Sequence, residues 1–128
     1  MEMELEKMIV VEEDGDLAGF VAGFFRNRFE VSRAETLLEA SNAIRELDAG
    51  VLLADIDPRS AEEISLVQRI RRERPKLRII LTYLTPSSGE VWEKRAGMAA
   101  DILIRKPYGL AAVDKIIRSW DGKSRDQA

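Results

Sequence analysis

Two acidic clusters, a pair of hydroxyls and one lysine are the groups in this chain able to do chemistry together. Glu12, Glu13 and Asp14 follow the apolar run 8–11 (MIVV), and Asp55 and Asp57 follow the run 51–54 (VLLA). Thr82 and Tyr83 follow 77–81 (LRIIL), and Lys106 follows 101–104 (DILI) after Arg105. Carboxylates drawn together repel, so such a cluster is costly unless a cation is shared. The chain has no histidine and no cysteine. Thiolate catalysis, zinc–sulfur sites, disulfides and the usual general base are therefore excluded. A hard cation such as Mg²⁺ remains, held by one or two carboxylates and otherwise by waters and phosphate oxygens. A lysine adds a point charge suited to a phosphoryl oxygen. Acids, a cation site, a hydroxyl and a lysine around one carboxylate make a site for phosphorylating that carboxylate. Asp55-Ile56-Asp57-Pro58 also reads as a plain turn and helix cap. That stretch alone does not choose between the readings; its partners decide.

The elements that must position these groups follow from apolar patterning. The run 51–54, continuous and closed by a turn signal, reads as a strand buried on both faces of a parallel sheet. The run 8–11 reads as a buried strand, 77–81 as a strand, 101–104 as a short strand, and 29–34 (FEVSRA) alternates like a half-exposed strand. Between them lie helical periodicities. The first runs from a cap at Asp16 to about residue 29, with Leu17, Phe20, Val21, Phe24 and Phe25 inward. The second starts near Glu35 or Thr36 and carries Leu37, Leu38, Ala40, Ala43, Ile44 and Leu47. The third starts near Ser60 and ends in a basic turn at Pro75, which complements the helix dipole. A fourth, over about 89–98, has only Val91, Trp92 and Ala96 as an apolar face. The last spans about 110–120, with Trp120 inward, before a polar tail over 121–128. Five strands alternating with five helices imply a doubly wound parallel α/β sheet with right-handed crossovers. All strand carboxyl ends then share one edge, where such sheets place their ligands.

At 128 residues the chain fits one domain, with its core over about 8–120. The formal charge of −3 gives no global attraction to nucleic acid or anionic membrane. The acidic start is not a signal peptide, no run is long enough to span a membrane, and a cytoplasmic location is expected. No glycine-rich phosphate loop supports nucleotide binding.

The pieces MIVVEED, VLLADIDP, RIILTYL and ADILIRKPY, in this order and spacing, resemble the receiver domain of two-component response regulators. The resemblance covers roughly residues 8–120, and the Lys-Pro pair after an apolar strand is its most specific element. It implies the flavodoxin-like sheet order 2-1-3-4-5. It also implies that Asp55 is the phosphoacceptor, that Glu12 and Glu13 with Asp55 form the metal site for Mg²⁺, and that Lys106 contacts the phosphoryl group. Lys106-Pro107 would be joined by a cis peptide, essentially a proline property. A switch hydroxyl would fall on Thr82 by residue type or on Tyr83 by counting from Asp55. A sensor histidine kinase or phosphotransfer protein would donate the phosphoryl group. The output would act through protein contact, with an unknown partner or as a homodimer, and with no direct nucleic acid. Such a domain is a signalling module rather than a conventional enzyme.

The chain departs from that family at several positions. Glu13 stands where the family has Asp, and one extra methylene displaces a carboxylate by about 1 Å, so either geometry-demanding Mg²⁺ binds weakly or Asp14 contributes to its site. Pro58 comes one residue early, Glu63 replaces a glycine, and Asp57 offers a second acid near the site. Leu103 replaces the aromatic that usually precedes the lysine. These departures define an alternative: a pseudo-receiver working as an interaction or dimerisation module without phosphorylation. The basic run 69–78 (RIRRERPKLR) is expected to be a solvated helix end, Phe20, Phe24 and Phe25 core, and Trp92 and Trp120 packing residues.

Overall fold

The computed structural model describes residues 5–57, 59–84 and 99–126, with side chains described as far as residue 120. The elements are β1 (Glu6–Val11), α1 (Gly15–Phe25), β2 (Phe29–Ala34), α2 (Leu37–Leu47), β3 (Val51–Asp55), α3 (Ala61–Glu73), β4 (Arg78–Tyr83), β5 (Ile102–Arg105) and α4 (Leu110–Asp126). All five strands are parallel in the order β2-β1-β3-β4-β5. This is the flavodoxin-like order expected from the sequence. Four helices lie among the described residues; the helix expected over about 89–98, and Trp92 with it, lies outside them.

Period-two alternation explains how one strand fills two cores. Ile9, Val11, Leu52, Ala54, Ile79 and Leu81 face α2 and α3, packing with Ile44, Val67 and Ile70. Met8, Val10, Val51, Leu53 and Ile80 face α1 and α4, packing with Val21, Phe25, Val113 and Ile117. A strand buried on both sides must be apolar at every position, hence the unbroken runs in the sequence.

Helix starts are set by side-chain caps. Asp14 accepts from the backbone N–H groups of Asp16 and Leu17, so Asp14 rather than Asp16 caps α1. Thr36 accepts from Glu39 N–H while the Glu39 carboxylate accepts from Glu35 N–H. Ser60 caps α3 through Glu63 N–H. Asp48 ends α2 in the left-handed region at φ 53°, a conformation its short polar side chain tolerates.

Three expectations need correction. Phe20 and Phe24 are not core: they are 69% and 43% exposed, and only Phe25 is buried. The inward stripe of α1 is Ala18, Val21 and Phe25, and at 100° per residue Phe20 and Phe24 fall beside it. Leu38 likewise sits outside the buried face of α2 formed by Leu37, Ala40, Ser41 and Ile44. The tail expected from residue 121 continues α4 to Asp126. Trp120 packs against the second core, partly buried, with the Arg78 guanidinium over its ring.

Candidate phosphoryl-transfer site

Register alone brings the chemical groups together. Val11 pairs with Ala54, so Glu12 and Asp55 are each the next residue along neighbouring strands. Asp55 pairs with Thr82, and Tyr83 with Arg105, so Lys106 follows one step beyond. Alternation then selects a face. Glu12 continues Met8 and Val10, Asp55 continues Val51 and Leu53, Thr82 continues Ile80, and Lys106 continues Ile104, all on the α1–α4 side. Backbone bonds from Ile56 N–H to Thr82 O and from Lys106 N–H to Tyr83 O carry the ladder past the strand ends.

The side chains meet as this placement requires. Lys106 Nζ lies 3.1 Å from Glu12 Oε1 and 3.2 Å from Asp55 Oδ1. Thr82 Oγ1 donates to Asp55 Oδ1 at 3.1 Å. Glu12 is buried, and its second oxygen accepts from Asp14 N–H. Asp55 Oδ2 makes no hydrogen bond among the described residues, and Asp55 lines a cleft of about 750 Å³. The peptide between Lys106 and Pro107 is cis.

One ammonium thus serves two carboxylates, and this sets the electrostatics. Burial pushes the Asp55 carboxyl above its ordinary range; Lys106 and Thr82 oppose the rise and Glu12 adds to it. Burial works against the Lys106 ammonium, but Glu12 and Asp55 together outweigh it and hold its pKa above the usual lysine value. Tyr108, beside Lys106, is raised by burial and by the two carboxylates, against the pull of the lysine.

Of the two hydroxyl candidates, Thr82 is the one on the Asp55 face. Tyr83 points to the opposite side and is buried among Ile79, Leu81 and Val11. The acidic pair is divided: Glu12 lies inside, while exposed Glu13 borders the cleft. Asp57 does not join the lysine. It turns to its own loop, accepting from Arg59 N–H at 2.9 Å, and these contacts hold its carboxyl below the usual range. Glu63 fills the place of the missing glycine. Its carboxylate accepts from Asp57 N–H at 3.4 Å and is raised, first by burial and then by the charges of Asp57 and Asp55. Leu103 packs against the first core, so no aromatic stands at that position of β5.

Arg33 was not singled out by its sequence. At the end of β2 its guanidinium donates to the carbonyl of Glu12 at 3.1 and 2.9 Å and to that of Glu13 at 3.0 Å, fixing the loop that carries both acids. Its position opposite Val10 in the β1–β2 register is the signal that would have found it.

Glu12 and Asp55 are the carboxylates that could hold Mg²⁺. Glu12 and Asp55 already share one cation, the lysine ammonium, and Mg²⁺ needs only one or two carboxylates beside its waters. Among the described residues no three acidic side chains converge to cage an ion.

Beside the cleft, a hollow of about 600 Å³ is lined by Phe20, Phe24, Leu84, Pro107, Tyr108 and the stem of Lys106, with other apolar residues. No helix among the described residues is long and apolar enough to cross a membrane.

No family model and no curated protein matches the sequence. Similar solved structures include a response regulator from Thermotoga maritima (20% identity, 90% of this chain and 96% of that one, TM-score 0.76). They also include HP1043, an orphan response regulator of H. pylori (20% identity, 89% and 94%, TM-score 0.74). A third is the beryllofluoride-activated DrrB receiver domain (18% identity, 93% and 99%, TM-score 0.74). With its parallel 2-1-3-4-5 sheet, the chain has the fold of a response-regulator receiver domain.

Proposed function

We propose that this chain is a receiver domain that accepts a phosphoryl group on Asp55 from a phosphohistidine of a sensor kinase or phosphotransfer protein. The observation that carries the reading is the convergence of Asp55, Lys106 and Thr82 within hydrogen-bond distance on one sheet face. In the transfer, an Asp55 oxygen attacks phosphorus, the P–N bond breaks, and its electron pair returns to the imidazole ring. Asp55 Oδ2 is the oxygen left open for attack, since Oδ1 takes both hydrogen bonds. Lys106 then shifts from the carboxylate to a phosphoryl oxygen, and the Thr82 hydroxyl follows the new acceptor. Glu12 and Asp55 would hold Mg²⁺, with Glu13 at the rim; the ion supplies positive charge to the phosphoryl oxygens. The phosphorylated domain signals by altered contacts, with an output protein or a second copy, along the β4–β5 side of the sheet. Phosphate adds charge only locally, so Thr82 is the element through which that charge biases the fold. The apolar hollow beside Lys106 supports a protein donor, and a cytoplasmic site of action accords with such a partner.

A second reading is favoured by one observation. Lys106 already neutralises Glu12 and Asp55 without a metal, and Glu13 stays outside that contact. The domain would then be a pseudo-receiver, an interaction module that works without phosphorylation. Incubating it with Mg²⁺ and beryllofluoride while following amide chemical shifts separates the two. Shifts spreading from Asp55 through Thr82, absent in Asp55→Asn, support the receiver. A spectrum unchanged by beryllofluoride supports the pseudo-receiver.

A further inference from the structure

We propose that Arg59 is a second phosphoryl-binding residue, approaching the phosphoryl group from the cleft. The inference rests on the reading of Asp55 as phosphoacceptor and adds a residue that the resemblance did not assign. A phosphoryl group on Asp55 carries close to two negative charges and three strong acceptor oxygens. Lys106 does not answer them alone, because its ammonium also serves buried Glu12 at 3.1 Å. On the cleft side the lining includes Glu13, Glu35, Asp55, Asp57, Glu62 and Glu63, and Arg59 is its one cation among the described residues. Of the charged side chains described along this cleft, Arg59 alone attracts an anion.

The geometry of Arg59 suits the role. Its backbone N–H is anchored on Asp57 Oδ1 at 2.9 Å, which fixes where the side chain leaves the loop. The guanidinium itself touches Asp57 only through Nε, at a long 3.4 Å, and the side chain is 76% exposed. Its terminal nitrogens make no hydrogen bond among the described residues. A planar guanidinium with two such nitrogens matches the paired oxygens of a phosphoryl group. Asp57 is therefore a resting place: the guanidinium exchanges a weak contact with a carboxylate for a bidentate one with the phosphoryl oxygens. In the sequence, Arg59 stands four residues after Asp55, directly behind Asp57 and Pro58.

The test uses the full chain, Mg²⁺ and beryllofluoride as the phosphoryl probe, titrated by fluorine NMR alongside arginine side-chain nitrogen resonances. In the wild type, the Arg59 nitrogen signals shift on binding. Arg59→Ala weakens beryllofluoride binding about tenfold, the loss expected for a hydrogen bond to a charged group. Arg59→Lys restores part of it. The unfolding midpoint of Arg59→Ala without beryllofluoride matches the wild type, because the lost contact is exposed. Wild-type binding with unchanged affinity in Arg59→Ala overturns the role of Arg59 and leaves the phosphoacceptor reading standing. No binding by the wild type overturns both.

Discussion

At 3.1 Å from Glu12 and 3.2 Å from Asp55, the Lys106 ammonium is the counter-charge for two carboxylates at once. Lys106→Met would leave buried Glu12 and partly buried Asp55 facing each other without a cation. Breaking a buried pair in this way costs about 3 kcal/mol, read as a lower urea midpoint. The loss shrinks in acid, where protonation removes the repulsion. Asp55 behaves in the opposite sense. Its folded pKa lies above the unfolded value, so its contribution to stability is full below the unfolded pKa and is lost as pH rises through the folded one. Asp55→Asn keeps an acceptor for Thr82 and frees Lys106 for Glu12. The variant should therefore melt higher than the wild type at neutral pH, and the two should converge as pH falls below the ordinary carboxylate range. Thermal unfolding across pH checks this; a variant that melts lower at pH 7 would show that the charged Asp55 is a net stabiliser.

Elements are held by a few side chains that reach between them. Arg71 of α3 donates to the carbonyls of Ala99 at 2.8 Å, Pro75 at 2.9 Å and Leu77 at 2.6 Å, and to Asp101 Oδ2 at 2.7 Å. The same Asp101 oxygen accepts from Ile79 N–H, so one guanidinium joins the end of α3 to the starts of β4 and β5. Arg71→Ala should cost about 3 kcal/mol, and Arg71→Lys should recover little, because a single ammonium cannot span those acceptors. On α2, Ser41 Oγ is buried without a hydrogen-bond partner. Ser41→Ala should raise stability by about 1 kcal/mol with an unchanged m-value, since it removes an unsatisfied polar atom. The elements were largely legible in the sequence because strands buried on both faces are apolar without a break. What failed was phase within a helix. Leu17, Phe20, Val21, Phe24 and Phe25 all fit a helical period, and only packing decides that Val21 and Phe25 turn inward. Arg71 and Arg33 were equally hidden, since an arginine that bridges segments looks in sequence like any surface cation.

For the whole molecule, topology does most of the positioning. Four groups spread from Glu12 to Lys106 converge because parallel strands end on one edge and their register aligns the residue after each apolar run. The sequence therefore named the groups that the register brings together, but not the face each one takes. Residue type pointed to Thr82 and counting from Asp55 to Tyr83, and only strand alternation separates the face of Asp55 from the opposite core. The family resemblance paired Glu12 with Glu13, whereas the pleat sends Glu12 inward and leaves Glu13 at the cleft. The exposed Phe20, Phe24 and Leu84 line an apolar hollow together with Lys106. Phe20→Ser should leave the stability within about 0.5 kcal/mol of the wild type, as for other surface substitutions, because Phe20 is 69% exposed. It should also slow transfer from a protein donor more than from a small phosphodonor.

The central claim is that Asp55 takes a phosphoryl group. Intact-protein mass spectrometry after incubation with phosphoramidate and Mg²⁺ tests it most directly. A phosphoacceptor at Asp55 gives a mass increase of one phosphoryl group, reversed by hydroxylamine as an acyl phosphate should be and absent in Asp55→Asn. An unmodified wild-type mass, or equal labelling of Asp55→Asn, would contradict it.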